Sequence, residues 1–82
     1  MSYEKVTQAK EVIIGSKQSL KALEAQAVSE VIAAEDAERN IINNVITAAE
    51  AEQVPVQWVS SKKKLGRACG IDVGAAVVAL KK

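Results

Sequence analysis

The 82-residue chain contains no histidine, no phenylalanine and a single cysteine, and aromatic residues make up only 2% of it. Without histidine, the chain cannot build a Ser–His or Cys–His nucleophile. One thiol and no imidazole also leave it without the ligands of a structural zinc site, and an internal disulfide is impossible. We therefore expect no enzyme activity, no catalytic residue, no metal site and no cofactor.

The lone cysteine, Cys69, lies among small residues in the segment Arg67-Ala68-Cys69-Gly70. A free cysteine in such a setting usually behaves as a small apolar side chain. We expect a buried core residue, and the alternative is a reactive thiolate beside the Arg67 guanidinium.

Long apolar runs are absent as well. No segment approaches the length of about 18 apolar residues that a membrane-spanning helix needs. Residues 1–11 carry two glutamates and two lysines and do not resemble a signal peptide. We expect a soluble, cytoplasmic protein with no membrane partner.

Hydrophobic residues make up 49% of the chain and charged residues 26%, which is typical of a folded protein. The length suits one domain, which we expect to span residues 1–82. Because alanine, valine and isoleucine replace the aromatic residues, the core is expected to consist of many small contacts.

Charge is unevenly distributed although the net charge is only +1. Residues 53–82 hold six basic residues and one acidic residue, whereas residues 24–52 hold one basic residue and seven acidic residues. Such a polarised molecule orients a charged partner better than its total charge suggests.

Helical and strand patterns alternate along the chain. The predicted helices are residues 3–10, 16–26, 38–52 and 62–69, and the predicted strands are residues 12–14, 29–33, 56–59 and 75–80. The third helix is the clearest, because its apolar residues recur at helical spacing. Four helices alternating with four strands predict an α/β fold, namely a three-layer α/β/α sandwich around a four-stranded mixed sheet. The pattern leaves the strand order open.

The segment Gly15-Ser16-Lys17-Gln18-Ser19-Leu20-Lys21 opens a helix directly after an apolar strand. Gly15 permits a sharp turn, and Ser16 is the predicted N-cap. The free N–H groups of the first turn and the helix dipole favour an anion there. The exposed face of this helix is predicted to carry Lys17, Gln18 and Lys21. We call these residues, with Gly15 and Ser16, the cradle, and expect it to contact a phosphate-rich partner.

A second basic cluster, Lys62-Lys63-Lys64 followed by Arg67, begins the fourth predicted helix, which Ser60 or Ser61 can cap. Positive charge opposes the dipole at a helix N-terminus, so stability alone would place these residues elsewhere. The cluster is either a solvated face or part of a surface for a phosphate-rich partner.

The segment that follows this helix contains Gly70, which is well placed to end it in the left-handed conformation. The residues Ile71, Asp72 and Val73 then form a short loop before the last strand. Their apolar side chains either fold inward or present a small apolar platform to a partner.

Two further features favour structural interpretations. Trp58, the only strong candidate for stacking on a base, alternates with Val56 in a strand and is expected to lie in the core. The acidic residues Glu35, Asp36 and Glu38 are expected to form a loop that caps the helix beginning at residue 38, rather than a divalent metal site.

The cradle and the segment Lys63-Lys64-Leu65-Gly66-Arg67-Ala68-Cys69-Gly70-Ile71-Asp72-Val73, in this order and at this separation, resemble the superfamily of ribosomal proteins L7Ae and L30e. The chain is most similar to its short bacterial members, which bind kink-turn RNA. The resemblance covers essentially the whole chain, including Val31-Ile32-Ala33-Ala34-Glu35-Asp36-Ala37.

The resemblance implies an α/β/α sandwich that binds a kinked RNA duplex. In such an assignment the cradle contacts tandem sheared G·A pairs and nearby phosphates, the loop covers bases flipped out at the kink, and two basic side chains lie beside the RNA backbone. The implied RNA-binding residues are Gly15, Ser16, Lys17, Gln18, Lys21, Lys64, Arg67, Ile71, Asp72 and Val73. The cradle and the apolar loop, taken by themselves, favour the same kind of partner, because RNA sequence is read most easily where bases are unstacked.

One segment departs from the family pattern. The family's binding helix usually ends in a basic pair and glycine, where this chain has Glu24-Ala25-Gln26. Glu24 places negative charge at the edge of the expected RNA face, and Gln26 lacks the ease of glycine in a left-handed position.

The leading functional hypothesis is therefore a monomeric, ribosome-associated protein that binds and stabilises kink-turn RNA, with no DNA partner. Two alternatives remain open at this point. The chain could be a structural protein of the large ribosomal subunit that binds another internal loop of ribosomal RNA. It could also be a protein-interaction domain that has lost RNA binding, which the acidic middle segment favours.

Overall fold

The computed structural model describes residues 2–9 and 11–82. The helices are α1 (Ser2–Gln8), α2 (Ser16–Glu24), α3 (Arg39–Ala51) and α4 (Lys62–Ala68), and the strands are β1 (Val12–Ile14), β2 (Val28–Ala34), β3 (Val56–Val59) and β4 (Val77–Lys81). All the predicted helices and strands are present, with boundaries that differ by a few residues. Residue 10 of the first predicted helix lies outside the described residues.

The four strands form one sheet in the order β1-β4-β2-β3. β2 and β3 are parallel, joined by the crossover helix α3, and the other two pairs are antiparallel. The prediction of a mixed sheet is therefore confirmed. α2 packs against α3 on one face of the sheet, and α1 packs against α4 on the other. This arrangement is the predicted three-layer sandwich.

The centre of the core is β2, which is covered on both faces. Its residues Val31–Ala34 are fully buried, which explains why the strand is an unbroken apolar run rather than an alternating one. Ile42 and Val45 of α3 and Leu65 of α4 complete the core from the two helical layers. Small aliphatic side chains thus form the interior, as the composition predicts.

The last strand begins at Val77 rather than at residue 75. Ala75 is buried, but its N–H donates to the carbonyl oxygen of Lys62 in α4, at 2.9 Å. Ala75 therefore belongs to the loop that packs on α4 and is not part of the sheet.

The expectation that Trp58 lies in the core is wrong. β3 forms an edge of the sheet, so its side chains have neighbours on one flank only. Trp58 remains 39% exposed. The guanidinium of Arg39, the first residue of α3, lies over the indole ring at 5.2 Å from its centroid, which is a cation–π contact.

The expectation that Cys69 is buried in the core is also wrong, because the residue is half-buried. It forms the C-cap of α4 at the border of the core, where its partly buried side chain packs against the core. Burial raises the pKa of its thiol, which opposes the alternative of a reactive thiolate.

The acidic loop after β2 caps a different helix from the one predicted. A carboxylate oxygen of Asp36 accepts the backbone N–H of Lys62 at 2.8 Å, at the start of α4. Glu38, the N-cap residue of α3, makes no side-chain capping hydrogen bond. The sheet brings the β2–α3 loop next to the start of α4. Asp36 therefore caps α4, and not α3, which is the next helix along the chain. Among the described residues no cluster of acidic, histidine or cysteine side chains could hold a metal ion.

Three helices of the described chain are followed by a residue in the left-handed region. Gly70 follows α4 with φ 82°, as predicted, whereas Gln26 and Gln53 take this position after α2 and α3 with φ 58° and 59°. The turn at Gln26 explains why α2 ends at Glu24 rather than at residue 26.

Replacing Gln53 by glycine is expected to raise the free energy of unfolding by roughly 0.5–1 kcal/mol, since glycine avoids most of the cost of a left-handed residue. Gln53 is exposed, so few contacts are lost. Chemical denaturation of both proteins measures the difference. The matched control is Gln57→Gly in β3, where φ is negative and the same change should destabilise the protein. A loss of stability in both variants would contradict the prediction.

Candidate nucleic-acid interface

The loops that carry the predicted functional residues meet at one end of the sheet. β1, β2 and β3 point their carboxyl ends to this end, because β2 and β3 are parallel and both β1 and β2 run antiparallel to β4. The loop that enters β4 therefore arrives at the same end. The sheet thus gathers the start of α2, the acidic loop, the start of α4 and the loop 71–73.

The turn between β1 and α2 is built on Gly15. Its φ of 100° lies in a region that favours glycine, and its N–H donates to the carbonyl oxygen of Val77 at 3.0 Å, which fixes the turn to β4. Its own carbonyl oxygen accepts the N–H of Ser19 at 3.1 Å and begins the helix. Gly15 is therefore the N-cap, and the prediction of Ser16 in that position is wrong by one residue.

This correction favours the anion site rather than removing it. Because Gly15 has no side chain and α2 has no side-chain cap, the N–H groups at its start make no capping hydrogen bond. Lys17 and Gln18 are exposed beside them, and Lys21 follows one turn later on the same exposed face. Ser19 and Leu23 point into the protein on the opposite side. The expected division of α2 into a packed face and a polar face is confirmed.

The start of α4 is held by three polar side chains. The Ser61 hydroxyl accepts the N–H of Lys64 at 3.3 Å, so Ser61 is the N-cap, one of the two serines that the sequence offered for this role. Asp36 accepts the N–H of Lys62, and the Tyr3 hydroxyl accepts the N–H of Ser61 at 3.0 Å. These acceptors, one of them charged, offset the cost of three lysines at a helix N-terminus.

The basic side chains of α4 are exposed, including Lys64 and Arg67. Lys63 was not among the residues implied by the resemblance, yet it lies four residues before Arg67 and shares its exposed face. The i, i+4 spacing was readable from the sequence. Lys63 therefore joins Lys64 and Arg67 as a candidate for contact with a polyanion.

The loop 71–73 lies across α4. The N–H groups of Gly70 and Ile71 bond the carbonyl oxygens of Arg67 and Gly66 at 3.0 Å each, which is the Schellman arrangement. A Cβ on Gly66 would lie only 2.0 Å from the carbonyl oxygen of Val73, so the loop rests directly on this glycine.

The sequence left two alternatives for the loop, apolar side chains that fold inward or an apolar platform for a partner, and the structure shows one of each. Ile71 is half-buried, whereas Asp72 is exposed and Val73 is 69% exposed. The apolar platform at this end of the protein is therefore Val73 with part of Ile71.

Comparison with known proteins assigns the family. A sequence profile of the Ribosomal protein L7Ae/L30e/S12e/Gadd45 family matches residues 2–82. The chain belongs to this family. It is 60% identical to the RNA-binding protein BH0128 of Halalkalibacterium halodurans over 82 residues, which is the full length of both chains. It is 55% identical to the RNA-binding protein YbxF of Geobacillus stearothermophilus over 80 residues, 98% of each chain.

A similar solved structure supports the fold. The 15.5kD RNA binding protein of Giardia lamblia superposes with a TM-score of 0.84 at 30% identity, over 98% of this chain and 68% of that one. The resemblance noted in the sequence and the predicted sandwich are both confirmed. No helix in the described part of the chain is long and apolar enough to cross a membrane.

The departure from the family pattern lies at the far end of α2. Glu24 is exposed, on the side of the helix that carries Lys17 and Lys21, and seven residues beyond Lys17, roughly 10 Å along the axis. The negative charge of Glu24 therefore repels any polyanion that Lys17 and Lys21 attract to this face.

Glu24→Lys is expected to tighten RNA binding and to steepen its salt dependence by about one unit of log K per log salt, as for one added phosphate contact. Titrations at several salt concentrations measure both quantities. Glu50→Lys, which makes the same charge change in the last turn of α3, is the matched control and should have a much smaller effect. Equal effects of the two variants would show that only the net charge matters.

Proposed function

We propose that this member of the L7Ae family is a non-enzymatic RNA-binding protein that recognises and stabilises kink-turn RNA. The observation that carries the proposal is the uncapped start of α2, with Lys17 and Lys21 beside it, at the same end of the sheet as the loop 71–73. A helix N-terminus with basic side chains suits phosphate, and the exposed Val73 suits an unstacked base. The relatives named RNA-binding proteins support the same function.

The mechanism that follows is a shift of population. A protein that binds the kinked form of an RNA and not the extended form moves the equilibrium by its differential affinity. The residues of this chain supply binding energy and shape, and no bond is made or broken.

The test compares three RNAs in one gel-shift or filter-binding assay: a kink-turn with tandem G·A pairs, the same RNA with those pairs disrupted, and a straight duplex of equal length. Preference for the first by about tenfold or more supports the proposal. Equal affinity for all three would falsify kink-turn recognition and leave only charge-driven binding to RNA.

Within the cradle, Gln18 is proposed to read base edges, because an amide can both donate and accept where a lysine contacts phosphate. Gln18→Ala is expected to reduce the preference for the intact kink-turn over the disrupted RNA more than it reduces affinity for either. Titration of both RNAs with the variant measures this ratio. An unchanged ratio would remove Gln18 from base recognition.

We further propose ribosomal RNA as a source of such a target, in the cytoplasm, which the family description supports. Sedimentation of a cell lysate on a gradient tests it. Co-sedimentation with the large ribosomal subunit is expected, and a protein found only in the soluble fractions would contradict ribosome association without affecting kink-turn recognition.

A further inference from the structure

β3 ends the sheet with an open flank. The N–H groups of Val31 and Glu35 in and after β2 donate to the carbonyl oxygens of Pro55 and Val59, at 2.9 and 2.8 Å. In a parallel pair the residues facing the partner alternate, so the odd-numbered residues of β3 face β2. The backbone N–H and C=O groups of Val56 and Trp58 therefore point away from the sheet, where the described residues supply no further strand.

Apart from its short length of four residues, this edge lacks the features with which proteins usually protect an open strand. Segment 53–61 contains no charged residue, and Pro55 lies before the strand rather than in it. The pairing of β2 with β3 runs in register over four residue pairs, without a bulge. At the opposite edge, β1 has only three residues, and Glu11 beside it forms an ion pair with Lys81 at 3.0 Å.

The side chains around the open edge favour a basic occupant. Glu35 adjoins the carboxyl end of β3 through its backbone bond to Val59, and Glu38 precedes the Arg39 that stacks on Trp58. Glu50 lies eleven residues after Arg39, about three turns along the same side of α3. All three glutamates are exposed. The guanidinium of Arg39, which lies beside them, is already stacked on the indole.

We propose that the open edge of β3 binds an extended, lysine- or arginine-rich segment of another protein, which adds a strand to the sheet. Its backbone would pair with Val56 and Trp58, its apolar side chains would lie on the exposed indole, and its basic side chains would meet the three glutamates. The proposal is independent of the proposed RNA function.

Charge argues against two other occupants. RNA would meet these carboxylates, which repel phosphate. A second copy paired antiparallel through β3 would place the amino end of one strand beside the carboxyl end of the other. Glu50 of one copy would then approach Glu35 and Glu38 of its mate, and like charges would meet at both ends of the shared ladder.

The single tryptophan of the chain reports on this edge directly. The probe is a short peptide in which every second residue is, in order, lysine, valine and lysine, with threonine between them, so that the lysines and the valine share one face of the added strand. It is titrated against the full chain while Trp58 fluorescence is recorded. Saturable binding with a blue shift of emission is expected, because the added strand covers the indole. The same peptide with N-methyl groups on the N–H groups that face β3, and the same peptide with glutamate in place of each lysine, should bind at least about tenfold more weakly.

Two variants locate the binding. Val56→Pro removes one outward N–H without touching the ladder to β2, and is expected to weaken peptide binding at least about tenfold. Val56→Ala also removes the valine side chain but keeps that N–H, so it is the matched control and should retain binding. Glu50→Lys should weaken binding of the lysine peptide only.

Three outcomes overturn the proposal. Equal binding of the N-methylated peptide, or no binding of any peptide, removes strand addition at this edge. A dimer in ultracentrifugation that Val56→Pro abolishes makes a second copy the occupant. Displacement of the peptide by the kink-turn RNA, with RNA quenching Trp58 in the absence of peptide, makes the edge part of the RNA surface.

Discussion

Gly66→Ala is expected to lower the free energy of unfolding by roughly 1–3 kcal/mol, the usual range for overpacking a tight site. At an exposed helical position the same change would stabilise by up to about 1 kcal/mol, because alanine is the better helix former. Here the added methyl group would occupy the space of the Val73 carbonyl oxygen, so either the loop 71–73 or α4 must move. Thermal and chemical denaturation measure the difference, and its sign separates the two cases.

The same variant tests the role of the loop in binding. If Val73 lies against unstacked bases, a displaced loop should reduce affinity for the kink-turn RNA while affinity for a straight duplex changes little. Lys63→Ala is the control for stability, since it places alanine on the exposed face of α4 without touching the loop and should change the free energy of unfolding by only a few tenths of a kcal/mol. A Gly66→Ala protein as stable as the parent, with unchanged RNA binding, would show that the loop yields freely and takes no part in recognition.

Lys17→Ala and Lys21→Ala are each expected to weaken kink-turn binding by about 1–3 kcal/mol, the range for a charge-assisted hydrogen bond whose partner is lost. The salt dependence of log K should become shallower by about one unit for each phosphate contact removed. Both side chains are exposed, so stability should change little. Titrations at several salt concentrations, together with denaturation curves, separate binding from folding.

The matched control for these lysines is Lys82→Ala. It removes the same charge at the last residue, whose N–H bonds the carbonyl oxygen of Ala27 beyond the far end of α2. Its effect should be limited to a small general weakening. If both cradle variants bind as tightly as the parent, the phosphate-binding surface lies elsewhere, with α4 as the next candidate.

Local features of the fold were predictable because their causes lie within a few residues. Period and turn residues predicted each helix and strand, Ser61 caps α4 as its side chain allows, and Gly70 takes the left-handed position after the helix. The two faces of α2 follow from residue spacing alone. The contributions of Lys17 and Lys21 to RNA binding stay predictions, since they depend on a partner.

The sequence by itself thus determined the alternation of helices and strands, the family and the composition of the cradle. Only the tertiary structure decided which segments are neighbours. The strand order brings the cradle, the start of α4 and the loop 71–73 to one end, directs Asp36 to α4, and leaves Trp58 on an open edge. The contact of Gly66 with Val73 arises in the same way. These features depend on contacts between residues distant in sequence, which hydrophobic period and capping chemistry do not encode.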